Sequence, residues 1–185
     1  MKKKDNNFLN NYFEKLQRLI NPEKKTNEKI ILFKKYCLKI KKNNKKIFIF
    51  GNGGSSSIAS HFTTDMIVNN NIKVFNFSDS NLLTCFANDY GYENLFSKII
   101  EHYGNKGDLL ILVSSSGKSK NHLKAATKAK SKKFSKIVTL TGFKKNNPLS
   151  KKGHINFWID SNKYNHVENF HQIILLSLAD LIKNK

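Results

Sequence analysis

The chain has little of what would mark it as a membrane, secreted or metal-cluster protein. No apolar run in its 185 residues is long enough to span a bilayer. The amino terminus, Met1-Lys2-Lys3-Lys4-Asp5-Asn6-Asn7, is basic but lacks the apolar stretch of a secretory signal. Its two cysteines, Cys37 and Cys85, have no metal-ligand spacing and are expected as ordinary buried thiols. These absences imply a cytoplasmic protein with no membrane contact. Arginine is scarce as well: Arg18 is the only one among 33 basic residues. A net charge of +20 would suit nucleic acid through counterion release, but arginine is the side chain best shaped to read bases and phosphates. No lysine falls between Lys46 and Lys73, so the excess reads as a solvated shell, and nucleic acid is disfavoured as a partner.

What is present centres on Ile47-Phe48-Ile49-Phe50-Gly51-Asn52-Gly53-Gly54-Ser55-Ser56-Ser57, an apolar run stopped by glycines. It reads as a buried strand, a tight turn and the start of a helix. Glycines admit a ligand close to the backbone, serines add hydroxyl donors, and a new helix attracts anions at its start. His61 and Asp65, four residues apart, share one face of that helix. A second Ser-rich turn, Ser114-Ser115-Ser116-Gly117-Lys118-Ser119, follows the apolar run Leu109-Leu110-Ile111-Leu112-Val113.

Apolar spacing predicts amphipathic helices over about 8–20 and 23–42, separated at Asn21-Pro22. Strands are expected at 47–50, 72–77, 109–113, 136–142 and 155–159. Helices are expected over about 81–87, 93–103, 121–133 and 164–182, with Asn88-Asp89-Tyr90-Gly91 as a turn. Alternating strands and helices imply a three-layer αβα sandwich on a five-stranded parallel sheet of flavodoxin-like order 2-1-3-4-5, in one domain over 1–185. In that order the first and third strands are neighbours, so both Ser-rich turns flank one crevice. The amino-terminal helices, about 8–42, would pack on this core or on a partner subunit.

Three nucleotide or hydrolase motifs fail to match. Gly117-Lys118-Ser119 resembles the end of a P-loop, but its first glycine would fall at Leu112. Ser56 stands where a dinucleotide fingerprint ends in glycine, and no acidic residue closes the second strand, so no nucleotide cofactor is expected. No G-x-S-x-G elbow is present.

The pair Gly-Asn-Gly-Gly-Ser at 51–55 and Ser-Ser-Ser-Gly-Lys-Ser at 114–119 resembles the sugar isomerase (SIS) domain. With His61-Phe62, Ala87-Asn88-Asp89-Tyr90-Gly91-Tyr92-Glu93-Asn94, Leu140-Thr141-Gly142 and the closing helix, the chain is similar to the phosphoheptose isomerase family. That resemblance implies that Asn52, Gly53 and Gly54, with Ser55, line the sugar and that Asn88 and Asp89 contact it. Ser114, Ser115, Ser116 and Ser119 would bind the phosphate. His61 matches a zinc ligand, and Asp65 stands where the family has a glutamate acting as ligand and base. A homotetramer is implied, with closing helices at subunit interfaces.

The closing helix departs from the family. Glu168 replaces a metal-binding glutamine, and Leu176 replaces a histidine that serves as ligand and acid–base partner. Glu168 and His171 share a helical face, so His61, Asp65, Glu168 and His171 form a candidate rearranged zinc site, with Glu168 also a candidate substrate contact. The remaining histidines, His102, His122, His154 and His166, have no motif context and are expected at the surface. The leading expectation is an aldose–ketose isomerase converting sedoheptulose 7-phosphate to a heptose 7-phosphate for surface-polysaccharide synthesis, with Asp65 as base. The alternatives are a non-catalytic phosphosugar-binding or regulatory protein, and an isomerase for a different phosphosugar.

Overall fold

The computed structural model describes residues 2–21 and 23–184. Five parallel strands, β1 (Ile47–Gly51), β2 (Val74–Phe75), β3 (Leu109–Ser114), β4 (Lys136–Thr141) and β5 (Ile155–Trp158), form one sheet in the order β2-β1-β3-β4-β5. The expected α/β order is the observed one. Alternate residues of the central strands feed separate cores. Ile47, Ile49, Leu109, Ile111 and Val113 face one side, with Phe33 and Cys37 of α2 (Lys24–Lys42), Phe62 and Met66 of α3 (Gly54–Val68) and Leu175 and Leu178 of α7 (Tyr164–Lys183). Phe48, Phe50, Leu110 and Leu112 face the other, with Ile99 of α5 (Leu95–Tyr103) and Ala125 and Ala129 of α6 (Lys120–Ser131). Burial on both faces explains the near-continuous apolar character of β1 and β3.

Several boundaries differ from the sequence expectation for local reasons. The first helix, α1, spans Lys2–Ile20 and extends the expected segment toward the amino terminus. Pro22, invoked as the break after it, lies outside the described residues. The second strand, at one edge of the sheet, spans only two residues, and Phe77 beyond it leaves the extended conformation with φ +51°. Helix α4 (Ser80–Tyr90) runs through the expected Asn88–Tyr90 turn. Asp79 caps its start by accepting from Leu82 N–H, and it stops at Gly91, whose φ of +78° favours glycine. A 3₁₀ turn, Tyr92–Asn94, then leads into α5.

Cys37 is buried as expected, but Cys85 is exposed on α4, its thiol 3.5 Å from the Asp89 carboxylate. Among the described residues no helix is long and apolar enough to cross a membrane.

Candidate functional site

The neighbouring strands β1 and β3 run in register, Gly51 beside Val113, so their following turns meet at one end of the sheet. Gly53 caps α3 with φ +54°, a conformation that suits glycine. In the second turn the Ser114 hydroxyl accepts from Gly117 N–H at 3.2 Å, and that of Ser116 accepts from Lys118 N–H at 3.3 Å. Their hydroxyl protons remain to donate. Among the described residues the buried Ser115 hydroxyl has no hydrogen-bond partner, and Ser119, at the N-cap of α6, makes no side-chain capping bond. The start of α6 adds the positive end of its dipole.

These groups line a cavity of about 120 Å³ with Asn52, Ser55, Val113, His122, Tyr164 and Glu168. An adjoining groove of about 310 Å³ is lined by Gly54, Ser57, Ile58, His61, Asn165, Glu168, Asn169 and Gln172. Glu168 is common to both. The carboxyl sits against Gly54, where any β-carbon would collide with it, and burial raises its pKa above the usual carboxylate value. The two spaces make one bipartite site: a donor-rich end suited to phosphate and an end bearing imidazole and carboxylate.

His61 Nε2 lies 3.7 Å from Asp65 Oδ2 across one helical turn, the first half exposed and the second less so. Gln172, one turn beyond Glu168, faces the same groove as His61. His171 does not. Its ring is fully buried against the Thr141 carbonyl, neither ring nitrogen has a full hydrogen bond, and burial pushes its pKa down to about 4. Among the described residues no three His, Cys, Asp or Glu side chains gather closely enough to hold a metal. Within one chain, therefore, the donor set does not fit zinc.

Asn88 and Asp89 are exposed at the end of α4, bonded to each other at 3.1 Å, and do not line either cavity. Two histidines expected at the surface are buried, His122 and His166, whereas His102 and His154 are exposed. His122 lies beneath the phosphate end of the site, and burial pushes its pKa down to about 4 against the effect of the Phe50 and Val113 carbonyls. Gln172 was legible at helical spacing from Glu168; His122 carried no comparable signal.

A doubly wound sheet whose two serine turns converge on one anion-suited crevice defines a SIS-type fold. Residues 11–142 match the SIS domain family, and the chain belongs to it. Within that family it groups with the phosphoheptose isomerases. It is 38% identical over 149 residues to the phosphoheptose isomerase of Helicobacter pylori, a match covering 76% of each chain. It also superposes on the phosphoheptose isomerase of Francisella tularensis with a TM-score of 0.87 and 25% identity, covering 98% of this chain and 99% of that one. The fold of the Neisseria gonorrhoeae phosphoheptose isomerase agrees too, with a TM-score of 0.88 and 24% identity over 96% and 98% of the two chains.

Proposed function

We infer that this chain is a sugar-phosphate aldose–ketose isomerase and propose sedoheptulose 7-phosphate and a heptose 7-phosphate as its reactant pair. The observation that carries this reading is the bipartite site, in which the serine-lined cavity and the His61 groove share the Glu168 wall. Ser114, Ser115, Ser116 and Ser119 hold the phosphate by donation, and Asn52 meets the sugar. Asp65 lines neither cavity but lies 3.7 Å from His61 at the groove, and in this reading it takes the proton from the carbon beside the carbonyl and returns it to the neighbouring carbon through an enediol. His61 and Glu168 stand in the groove to serve the sugar oxygens as charge shifts onto them. Zinc is a proposal that rests on the family resemblance: among the described residues His61, Asp65 and Glu168 do not gather to hold a metal, so an ion beside His61 would need donors from another chain. The homotetramer, in which Asn88 and Asp89 would reach a sugar, and a cytoplasmic role in polysaccharide synthesis are also proposals, supported by the family resemblance.

A second reading, a phosphosugar-binding protein without turnover, is favoured by Leu176 standing where the family histidine would be. The deciding experiment follows product formation and exchange of the carbon-bound proton into deuterated solvent with sedoheptulose 7-phosphate, with and without zinc. Exchange and product that are both lost in Asp65→Asn support the isomerase. Saturable binding with neither, extended across other phosphosugars, supports the binding protein; turnover of another phosphosugar alone assigns a different substrate. A zinc requirement for exchange supports the metal proposal, and undiminished exchange after chelation overturns it.

A further inference from the structure

A chain of hydrogen bonds runs beneath the site from Tyr92 to His122. Tyr92 Oη–H donates to Asn52 Oδ1 at 2.9 Å. Asn52 and Asn121 then form a reciprocal amide pair. Asn52 Nδ2 donates to Asn121 Oδ1 at 3.2 Å, and Asn121 Nδ2 donates to Asn52 Oδ1 at 3.0 Å. The His122 backbone N–H donates to Asn121 Oδ1 at 3.0 Å, which identifies that atom as the oxygen. His122 Nδ1 lies 3.0 Å from the same oxygen, a third donor on an atom with two lone pairs, so it shares one of them with the longer Asn52 contact. An unprotonated Nδ1 would set lone pair against lone pair, and Nε2 makes no hydrogen bond to the Phe50 or Val113 carbonyls around the ring, so the contact favours the proton on Nδ1.

We propose that His122 is a positioning residue: by donating from Nδ1 to Asn121 Oδ1 it locks the Asn121–Asn52 pair, so that Asn52 meets the ligand only as a hydrogen-bond donor. Both lone pairs of Asn52 Oδ1 are taken, by Tyr92 and Asn121, while one hydrogen on Nδ2 is left free at the cavity. The matching ligand atom is an acceptor oxygen of the phosphosugar outside the serine cradle, a hydroxyl or carbonyl oxygen. His122 is almost fully buried and packs edge-on to Phe96 with ring centroids 5.2 Å apart, which restricts the ring's rotation. The ligand's identity rests on the isomerase reading; the orientation of the relay does not.

Two measurements separate these. Nitrogen-15 NMR of the free protein reports the His122 tautomer and the exchange protection of the Asn52 side-chain amide. A neutral Nδ1–H ring, with Asn52 protection lost in His122→Leu and kept in His122→Asn, is expected. An Nε2–H ring, or unchanged protection in His122→Leu, overturns the relay whatever the protein binds. Calorimetric titration with sedoheptulose 7-phosphate and with inorganic phosphate then tests the consequence. His122→Leu should weaken the sugar phosphate roughly tenfold, and His122→Asn, whose amide nitrogen replaces Nδ1, should restore it to within about threefold. Inorganic phosphate, held by the serine turn, should change by less than about twofold in both variants. Equal weakening of both ligands, or an asparagine variant no better than leucine, overturns the positioning role. If wild type binds inorganic phosphate but not the sugar phosphate, the isomerase reading fails, and the NMR result alone decides the relay.

Discussion

Gly54, the first residue of α3, lies directly against the Glu168 carboxyl of α7, with no room between them for a β-carbon. The absence of a side chain at 54 thereby sets the position of the one residue common to both halves of the site. Gly54→Ala meets only the end of a flexible side chain, so the fold should survive while Glu168 is displaced. The expected result is a roughly tenfold fall in kcat/KM, and the same substitution in a Glu168→Ala background should have almost no further effect. Steady-state kinetics on the four proteins of this cycle measure the coupling.

Glu168 also makes a prediction about stability. Its folded-state pKa is raised by burial, so its contribution is present below the unfolded carboxylate pKa and lost as pH rises through the folded value. Glu168→Gln removes that loss. Its melting temperature should exceed that of the wild type near about pH 7, and the difference should close below about pH 4. Thermal melts across that range test the sign.

The Ser115 hydroxyl is buried and bonds to no other described residue. Removing it breaks no internal hydrogen bond and relieves a buried polar group. Ser115→Ala should keep or raise the melting temperature while weakening inorganic phosphate by roughly tenfold, since the hydroxyl is a donor to the anion. Calorimetry and thermal denaturation on one sample check both halves.

His171 predicts a distinct acid sensitivity. Its folded pKa is depressed to about 4 by burial, so the unfolded state takes up the proton first as pH falls. Stability is fully present above the ordinary histidine pKa and declines from there toward about pH 4, by on the order of 3 kcal/mol at the limit. His171→Phe should flatten that part of the curve. Urea denaturation between about pH 7 and pH 4 provides the measurement.

The strand order and the convergence of the two serine turns were legible because they rest on local signals. Uninterrupted apolar runs such as Leu109–Val113 mark doubly covered strands, and glycine and serine clusters mark where they end. Alternation of strand and helix then leaves few topologies, and the reversal between β1 and β3 puts both turns at one crevice. The shared face of His61 and Asp65 followed from helical spacing alone.

Which face of a helix meets which neighbour was decided only by the tertiary structure. Glu168, His171 and Gln172 lie within about one turn, yet packing of α7 on β4 and α3 turns Glu168 and Gln172 to the groove and His171 into the core. Helical periodicity groups residues by angle but contains no reference direction, and the direction comes from contacts distant in sequence. The same holds for His122. Nothing near it in the chain marks it, and its place beneath the site exists only because Phe50 of β1, Val113 of β3, Phe96 of α5 and Asn121 are brought around one imidazole by the fold.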